Sequence, residues 1–314
     1  SASNCRKMRF IGSSVVWGTM IDASNTALVI EGGGMRNSYT AACMVKLLEE
    51  GVDFGWVGGV SAGASHTINY LSRDAQRTEE SFTDFAQSPS FGGVGSLVRG
   101  SGYFNAEYIY ERAADKDFPF DWQAYRDHPA DMVLAAARAD TGESVYWTRQ
   151  DIHTPEDLLV RVRASSTLPL IMPMRFIDGA PYVDGALGSS GGITIAQAEE
   201  AGYEKFLFIG TKPRGYVRPE VARPAFVRRV FRRYPAIADA LIARPALYNA
   251  AKDRLLELER QGKAQLFFPE DMQVSSTERN VYKLRANYQA GKAQTYTAVS
   301  YTHLRAHETK ANLV

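Results

Sequence analysis

The chain has 314 residues, 36 Lys and Arg against 35 Asp and Glu, and 45% hydrophobic residues, enough for one large core plus a smaller region. That balance gives no electrostatic case for nucleic acid. Two cysteines make no disulfide framework, five histidines fall in no metal-ligand spacing, and no run approaches the ~20 apolar residues of a membrane span.

In chain order, Arg6-Lys7-Met8-Arg9 ahead of Phe10 to Trp17 mimics a signal peptide, but Gly12, Ser13 and Ser14 interrupt a short apolar part. Residues 1–19 are read as untranslated upstream sequence or a disordered leader, with a cytoplasmic protein body starting near Met20. Thr26 to Glu31 is a β-type apolar run that ends at Gly32-Gly33-Gly34-Met35-Arg36-Asn37, and Ser38 to Glu50 reads as a helix with Cys43 among its core positions. Three successive glycines let bare amides converge on an anion. That anion is a cofactor phosphate, with Asp53 placed to hold a ribose, or the oxyanion of a tetrahedral intermediate. A turn serving only close strand–helix packing is the plain alternative.

Next comes Gly59-Val60-Ser61-Ala62-Gly63, after the apolar Trp56-Val57-Gly58 and before a helical stretch from Ala64 to Ser72. This G-x-S-x-G pattern predicts a sharp strand-to-helix turn that lifts the Ser61 hydroxyl from the sheet, near the positive end of a helix. Ser81 to Asp127, rich in Gly, Phe and Tyr, is an insertion read either as a lid or lipid-facing wall or as irregular packing. Met132 to Ala139 and Glu143 to Thr148 pair as strands. After Arg163-Ala164-Ser165-Ser166-Thr167-Leu168-Pro169, a hairpin from Arg175 to Val183 turns at Asp178-Gly179 and leads into Asp184-Gly185-Ala186. Asp184 is a turn-former or a buried base. Ile193 to Ala201 (helix) and Lys205 to Gly210 (strand) continue a β–α alternation that predicts a largely parallel sheet with helices on both faces.

Beyond Thr211 the composition shifts. Lys212, Arg214, Arg218, Arg223, Arg228, Arg229, Arg232 and Arg233 interleave with apolar residues, which suits an anionic lipid surface or a solvated helix face. Ala246 to Gln261 and Thr277 to Gly291 read as helices, with Gln265 to Pro269 as a late strand. Residues 299–314 resemble translated sequencing adapter, which leaves a mainly helical region over 216–298.

The glycine loop Gly32 to Arg36, the elbow Gly59 to Gly63 and Asp184-Gly185-Ala186 resemble, in order, the three motifs of the patatin-like phospholipases, and Ala164-Ser165-Ser166 to Pro169 resembles that family's approach to its aspartate. The resemblance implies a three-layer α/β/α hydrolase with its catalytic domain over 20–215. It implies lipid acyl hydrolysis by a Ser–Asp dyad, with no cofactor and no metal. Ser61 is then the nucleophile, Asp184 the general base, and Gly32, Gly33, Gly34, Met35, Arg36 and Asn37 the oxyanion and binding loop. Gly59, Gly63, Gly185 and Ala186 are its motif positions. Where the family usually has Gly, this chain has Asn37, a residue that tolerates a left-handed backbone.

Such a dyad is chemically sensible. A serine needs a base within hydrogen-bond reach, and burial raises the basicity of an aspartate. Other readings remain: a Ser–His–Asp esterase, which needs a histidine although only His303 and His307 follow Asp184; an acyltransferase of related fold; and a non-catalytic lipid- or nucleotide-binding module. The expected partners are lipid acyl esters, phospholipid or lysophospholipid, with peripheral contact to anionic membrane.

Overall fold

The structure, a computed structural model, describes residues 6–11, 14–19, 21–87 and 119–311. The glycine-rich stretches at Phe91 and Gly100 in the insertion, and Cys5, lie outside them. Strands β1 (Arg6–Ile11) and β2 (Ser14–Thr19) pair antiparallel as a separate ribbon. Among the described residues, the central sheet has eight strands. They are β3 (Ile21–Ile30), β4 (Val52–Val60), β5 (Asp131–Arg138), β6 (Ser144–Trp147), β7 (Arg175–Ile177), β8 (Ala180–Asp184), β9 (Lys205–Ile209) and β10 (Ala264–Phe267). Helices α1 (Asn37–Glu49), α2 (Ala62–Leu71), α3 (Ala75–Glu80), α4 (Trp122–Asp127) and α5 (Pro155–Ser165) precede β7. After β8 come α6 (Ile195–Glu200), α7 (Pro224–Val230), α8 (Pro235–Arg260) and α9 (Val281–Ala311).

Side-chain alternation sets the layers. On β3, Leu28 and Ile30 join Met44 of α1, Ile68 of α2 and Leu158 of α5 in one cluster. Ala27 and Val29 point the other way, into a cluster with Ala198 of α6, Phe208 of β9, and Leu255 and Leu258 of α8. Each large apolar side chain so buried contributes about 1.5–3 kcal/mol. The result is the expected three-layer α/β/α arrangement. The C-terminal region is built into it: β10 extends the sheet in parallel beside β9, and α9 packs on α1, where Asn287 donates to Ser38 Oγ at 2.8 Å.

Strands β10, β9, β3, β4 and β5 run parallel. Two parts of the sheet then reverse. β6 pairs antiparallel with one edge of β5 over Leu134 to Ala137. On the opposite edge β4 ends with Val60 against Ala135, and β8, running the other way, ends with Asp184 against Ala136. The C-terminal ends of β4 and β8 therefore meet along one edge of β5. The hairpin that delivers β8 turns where expected, with Asp178 (φ 49°) and Gly179 (φ 78°) both left-handed, as a two-residue I′ turn requires.

Most other predicted elements agree, with shifted ends. Helices α9 and α8 depart most: α9 spans Val281–Ala311 rather than Thr277 to Gly291, and α8 begins at Pro235 and runs through Pro245 rather than starting after it. Proline inside a helix costs ~3 kcal/mol. Here buried Ile237 and Ala238 before it, and Tyr248, Leu255 and Leu258 after it, offset that cost.

Candidate active site

Ser61 stands between β4 and α2 with φ 58° and ψ −125°, a strained conformation for a residue bearing a side chain, and it caps the N-terminus of α2. The turn is tight enough to forbid side chains on either side. A Cβ on Gly59 would lie 2.1 Å from the Gly63 carbonyl, and one on Gly63 would lie 2.5 Å from the Ile30 carbonyl. The Ser61 amide donates to Ser165 Oγ at 3.0 Å, and Ser165 Oγ donates to the Ala135 carbonyl at 2.5 Å. Ser165 is the last residue of α5, whose start is fixed by a capping box between Thr154 and Asp157 with Pro155 at the first helical position.

Two residues on, the Thr167 carbonyl accepts the Asp184 amide at 2.9 Å. Asp184 is buried, and its Oδ1 accepts the Ala186 amide at 2.8 Å. Burial raises the pKa of its carboxyl above the ordinary value, while the Arg244 guanidinium, the Ser61 hydroxyl and the Ala186 amide pull it back. Gly185 opens a short turn so close to β5 that a Cβ would meet the Ala135 carbonyl at 2.1 Å.

The glycine loop lies against the elbow. A Cβ on Gly32 would sit 2.4 Å from the Val60 carbonyl and 2.8 Å from Ser61 Cβ. Gly34 has φ +58°, and a Cβ there would strike the Ser276 carbonyl at 2.4 Å. Among the described residues, the amides of Gly32, Gly33 and Gly34 donate to no backbone acceptor, whereas the Met35 amide is already committed to Ser276 at 3.0 Å. Met35 instead supplies an apolar wall. Asn37 is not left-handed: it has φ −68°, is buried at the start of α1, and donates through Nδ2 to the Glu31 carbonyl and Thr40 Oγ1, both at 3.1 Å. Gly34 takes the left-handed position, so Asn37 braces the loop from behind and lies outside the pocket wall.

A cavity of about 330 Å³ opens over these groups and includes Ser61, Asp184 and Gly32 to Arg36 in its lining. One sector is apolar: Met35, Phe82 and Met172 belong to a single cluster with Phe85 and Leu168 packed against it. Phe82 and Phe85 come from the start of the insertion. The other sector is cationic, with Arg36, Lys212, Arg218 and Arg244. Of these four, sequence reasoning assigned only Arg36 to the site. Lys212 and Arg218 were absorbed in a basic run, which the fold divides: Arg214 pairs with Glu259 at 2.7 Å, and Arg228 with Asp239 at 3.3 Å.

Other candidates are placed elsewhere. Asp53 lies at the opposite end of β4 from the glycine loop and pairs with Arg73 at 2.8 Å, so it cannot hold a ribose there. His66 is fully buried, with Nε2 3.0 Å from Thr40 Oγ1 and its ring against Phe82; burial lowers its pKa to about 3, which keeps it neutral. His128 is buried beside Tyr70, and His153 is exposed. None of the three lines the cavity. Cys43 is buried, which pushes its thiol up to about 12. No group of three His, Cys, Asp or Glu suited to a metal occurs among the described residues, and none of their helices is long and apolar enough to cross a membrane.

A crystal structure of VipD from Legionella pneumophila aligns over 95% of this chain and 70% of its own, at 12% identity and a TM-score of 0.45. No curated protein matches. Residues 234–301 match a domain of unknown function (DUF6363). Residues 28–196, more than half of the chain, match the model for patatin-like phospholipase, and they contain the glycine loop, the elbow and Asp184. The chain belongs to the patatin-like phospholipase family.

Proposed function

We propose that the protein is a serine lipid acyl hydrolase, of phospholipase A or lysophospholipase type, that works through a Ser61–Asp184 dyad. Family membership supports lipid acyl hydrolysis in general. The observation that carries the finer reading is a strained Ser61 at a helix N-terminus, interacting with a buried carboxylate of raised pKa, with the amides of Gly32 to Gly34, which donate to no backbone acceptor among the described residues, packed against the same turn.

Asp184 accepts the Ser61 proton as Oγ attacks the ester carbonyl. The developing oxyanion is met by the loop amides of Gly32 to Gly34 and by the amide of Ala62, the residue after the nucleophile. Protonated Asp184 then protonates the departing alcohol, and water repeats the sequence to release the fatty acid. The acyl chain occupies the apolar sector past Met35, Phe82 and Met172. Lipid reaches the site from a surface. Leu170, beside the cavity-lining Leu168 and Met172, is 72% exposed, and α7 presents Phe226 and Val230 to solvent among exposed arginines. These features suit peripheral contact with an anionic membrane, in a cytoplasmic protein.

Purified protein should release fatty acid from phospholipid or lysophospholipid. Ser61→Ala should abolish that release, and a fluorophosphonate probe should label Ser61 alone. Labelling elsewhere, or undiminished turnover in the variant, sinks the dyad.

A further inference from the structure

We propose that Arg36, Lys212, Arg218 and Arg244 form a phosphoryl-binding site, so that the enzyme selects acyl esters whose headgroup is a phosphomonoester over zwitterionic and neutral ones. The proposal rests on the hydrolase reading above and names its substrate class. It also gives a role to the region of unknown function, since Arg244 lies on α8 within residues 234–301.

All four cations line the same cavity as Ser61 and Asp184. None is within ion-pair distance of a carboxylate among the described residues, whereas the neighbouring Arg214, Arg228 and Arg254 each have one. The Nε atoms of Arg36, Arg218 and Arg244 are buried without a hydrogen-bond partner among the described residues. The buried carboxylate of Glu31, which is coupled electrostatically to Arg36, Lys212 and Arg244, already has partners: its Oε2 accepts the Thr211 amide at 2.6 Å, and it hydrogen-bonds Tyr248. Four cations thus face two carboxylates, Glu31 and Asp184, and repel one another. Burial lowers the pKa of Arg36, Lys212 and Arg244, and their mutual repulsion and that of Arg218 lower it further. Nothing in protein stability favours such crowding, but binding a multiply charged anion does.

The side chains are also held in place before any ligand arrives. The Arg218 guanidinium lies 5.0 Å from the Tyr248 ring centroid, and Lys212 Nζ 4.6 Å from that of Tyr216. Both backbone polar atoms of Arg218 bond the Asn249 side chain, at 2.8 and 3.0 Å. The Tyr216 and Pro213 carbonyls accept Lys252 Nζ, at 2.5 and 3.2 Å. Pre-ordered donors lose little entropy on binding. A phosphomonoester, with about −1.5 to −2 charges and three strong acceptor oxygens at neutral pH, matches this excess, whereas a single carboxylate leaves it uncompensated. A choline group would set a further cation against four. Because Arg244 lines the cavity together with Ser61 and Asp184, the anion sits beside the reacting ester.

The test compares kcat/KM of the full chain on 1-oleoylglycerol 3-phosphate, 1-oleoylglycerophosphocholine and 1-oleoylglycerol. The phosphomonoester should be preferred. Arg218→Gln and Lys212→Gln should each reduce that preference about tenfold or more, the effect of losing one charged hydrogen bond. Arg218→Lys should restore part of it, and Arg254→Gln, at an exposed site away from the cavity, should leave it intact. Equal loss on all three lipids, or no preference to lose, overturns the proposal. Glycerol 3-phosphate and inorganic phosphate, titrated calorimetrically into Ser61→Ala protein, separate the two readings. If no ester is cleaved, the hydrolase reading fails, while glycerol 3-phosphate binding lost in the Ser61→Ala, Arg218→Gln double variant still upholds the site. Inorganic phosphate binding as tightly as glycerol 3-phosphate, without ester preference, overturns the headgroup assignment. A melting curve for each variant checks folding, and Lys212→Gln, at a half-exposed position, serves if Arg218→Gln unfolds.

Discussion

The amide of Ser61 donates to the hydroxyl of Ser165 at 3.0 Å, and that hydroxyl in turn donates a hydrogen bond to the Ala135 carbonyl. A single side chain on α5 therefore ties the strained elbow to the neighbouring strand. Ser165→Ala leaves one buried donor and one acceptor unpaired, at a cost of about 1–3 kcal/mol in stability. It also frees the elbow to relax, so kcat should fall about 10- to 100-fold with KM little changed, since small misplacements are costly. Denaturant melts and steady-state kinetics measure the two effects. A stability loss with unchanged kcat would show that Ser165 has no positioning role.

Asp184→Asn should separate activity from stability. Burial raises the pKa of Asp184 in the folded chain above its unfolded value, so the ionised group opposes folding. That penalty is absent below the unfolded pKa and grows as pH rises through the folded one. The variant should therefore be inactive yet melt at or above the wild-type temperature at pH 8, with the difference closing toward pH 4. By the same shift, wild-type kcat should rise with pH through a value above the ordinary carboxylate range. A variant that melts lower at pH 8 than at pH 4, relative to wild type, contradicts this account.

Gly34→Ala addresses the proposed oxyanion loop. Its φ of +58° and the Ser276 carbonyl 2.4 Å from the added Cβ force the loop to move. Turnover should drop about 10²–10³-fold, as for loss of an oxyanion donor, while lipid binding to the variant changes far less. Vesicle or micelle binding measured beside kcat decides it: parallel losses would point to a ground-state anion site instead.

The arginines around α7 test the surface. Arg229, Arg232 and Arg233 are exposed beside Phe226, whereas Arg228 is drawn toward Asp239. Replacing the first three with Gln should weaken binding to anionic vesicles by about 1 kcal/mol per charge at low salt, and the difference should shrink as salt rises. Vesicle sedimentation across a salt series that shows no change would make α7 an ordinary solvated helix.

The elements of the site that could be read from sequence are those whose chemistry is local. Gly59, Gly63 and Gly32 are required by backbone approaches within a few residues or between adjacent strands, Gly34 by its own positive φ, and Asp184 ends a strand behind a recognisable Asp178-Gly179 turn. The cationic sector was not legible, because a basic run has the same pattern whether its members face solvent or converge on a cavity. Only the fold turns Lys212 and Arg218 inward and Arg214 outward onto Glu259. Arg244 did carry a signal, a lone charge among Ile242, Ala243, Pro245 and Ala246, but Pro245 marked a helix boundary that core packing overrides. Asn37 shows the converse: a family-level expectation about backbone hand was resolved one turn earlier, at Gly34.

The end-to-end meeting of β4 and β8 along β5 also has a consequence in time. During synthesis the glycine loop, elbow and α2 are complete long before β8 emerges, so a nascent chain carries Ser61 without Asp184. The β5–β8 pairing is closed from distant parts of the sequence, and such closures are slow. In refolding, recovery of esterase activity should trail the return of helical signal. If Ser61 and Asp184 form the proposed dyad, the docking of β8 is the step that arms the enzyme.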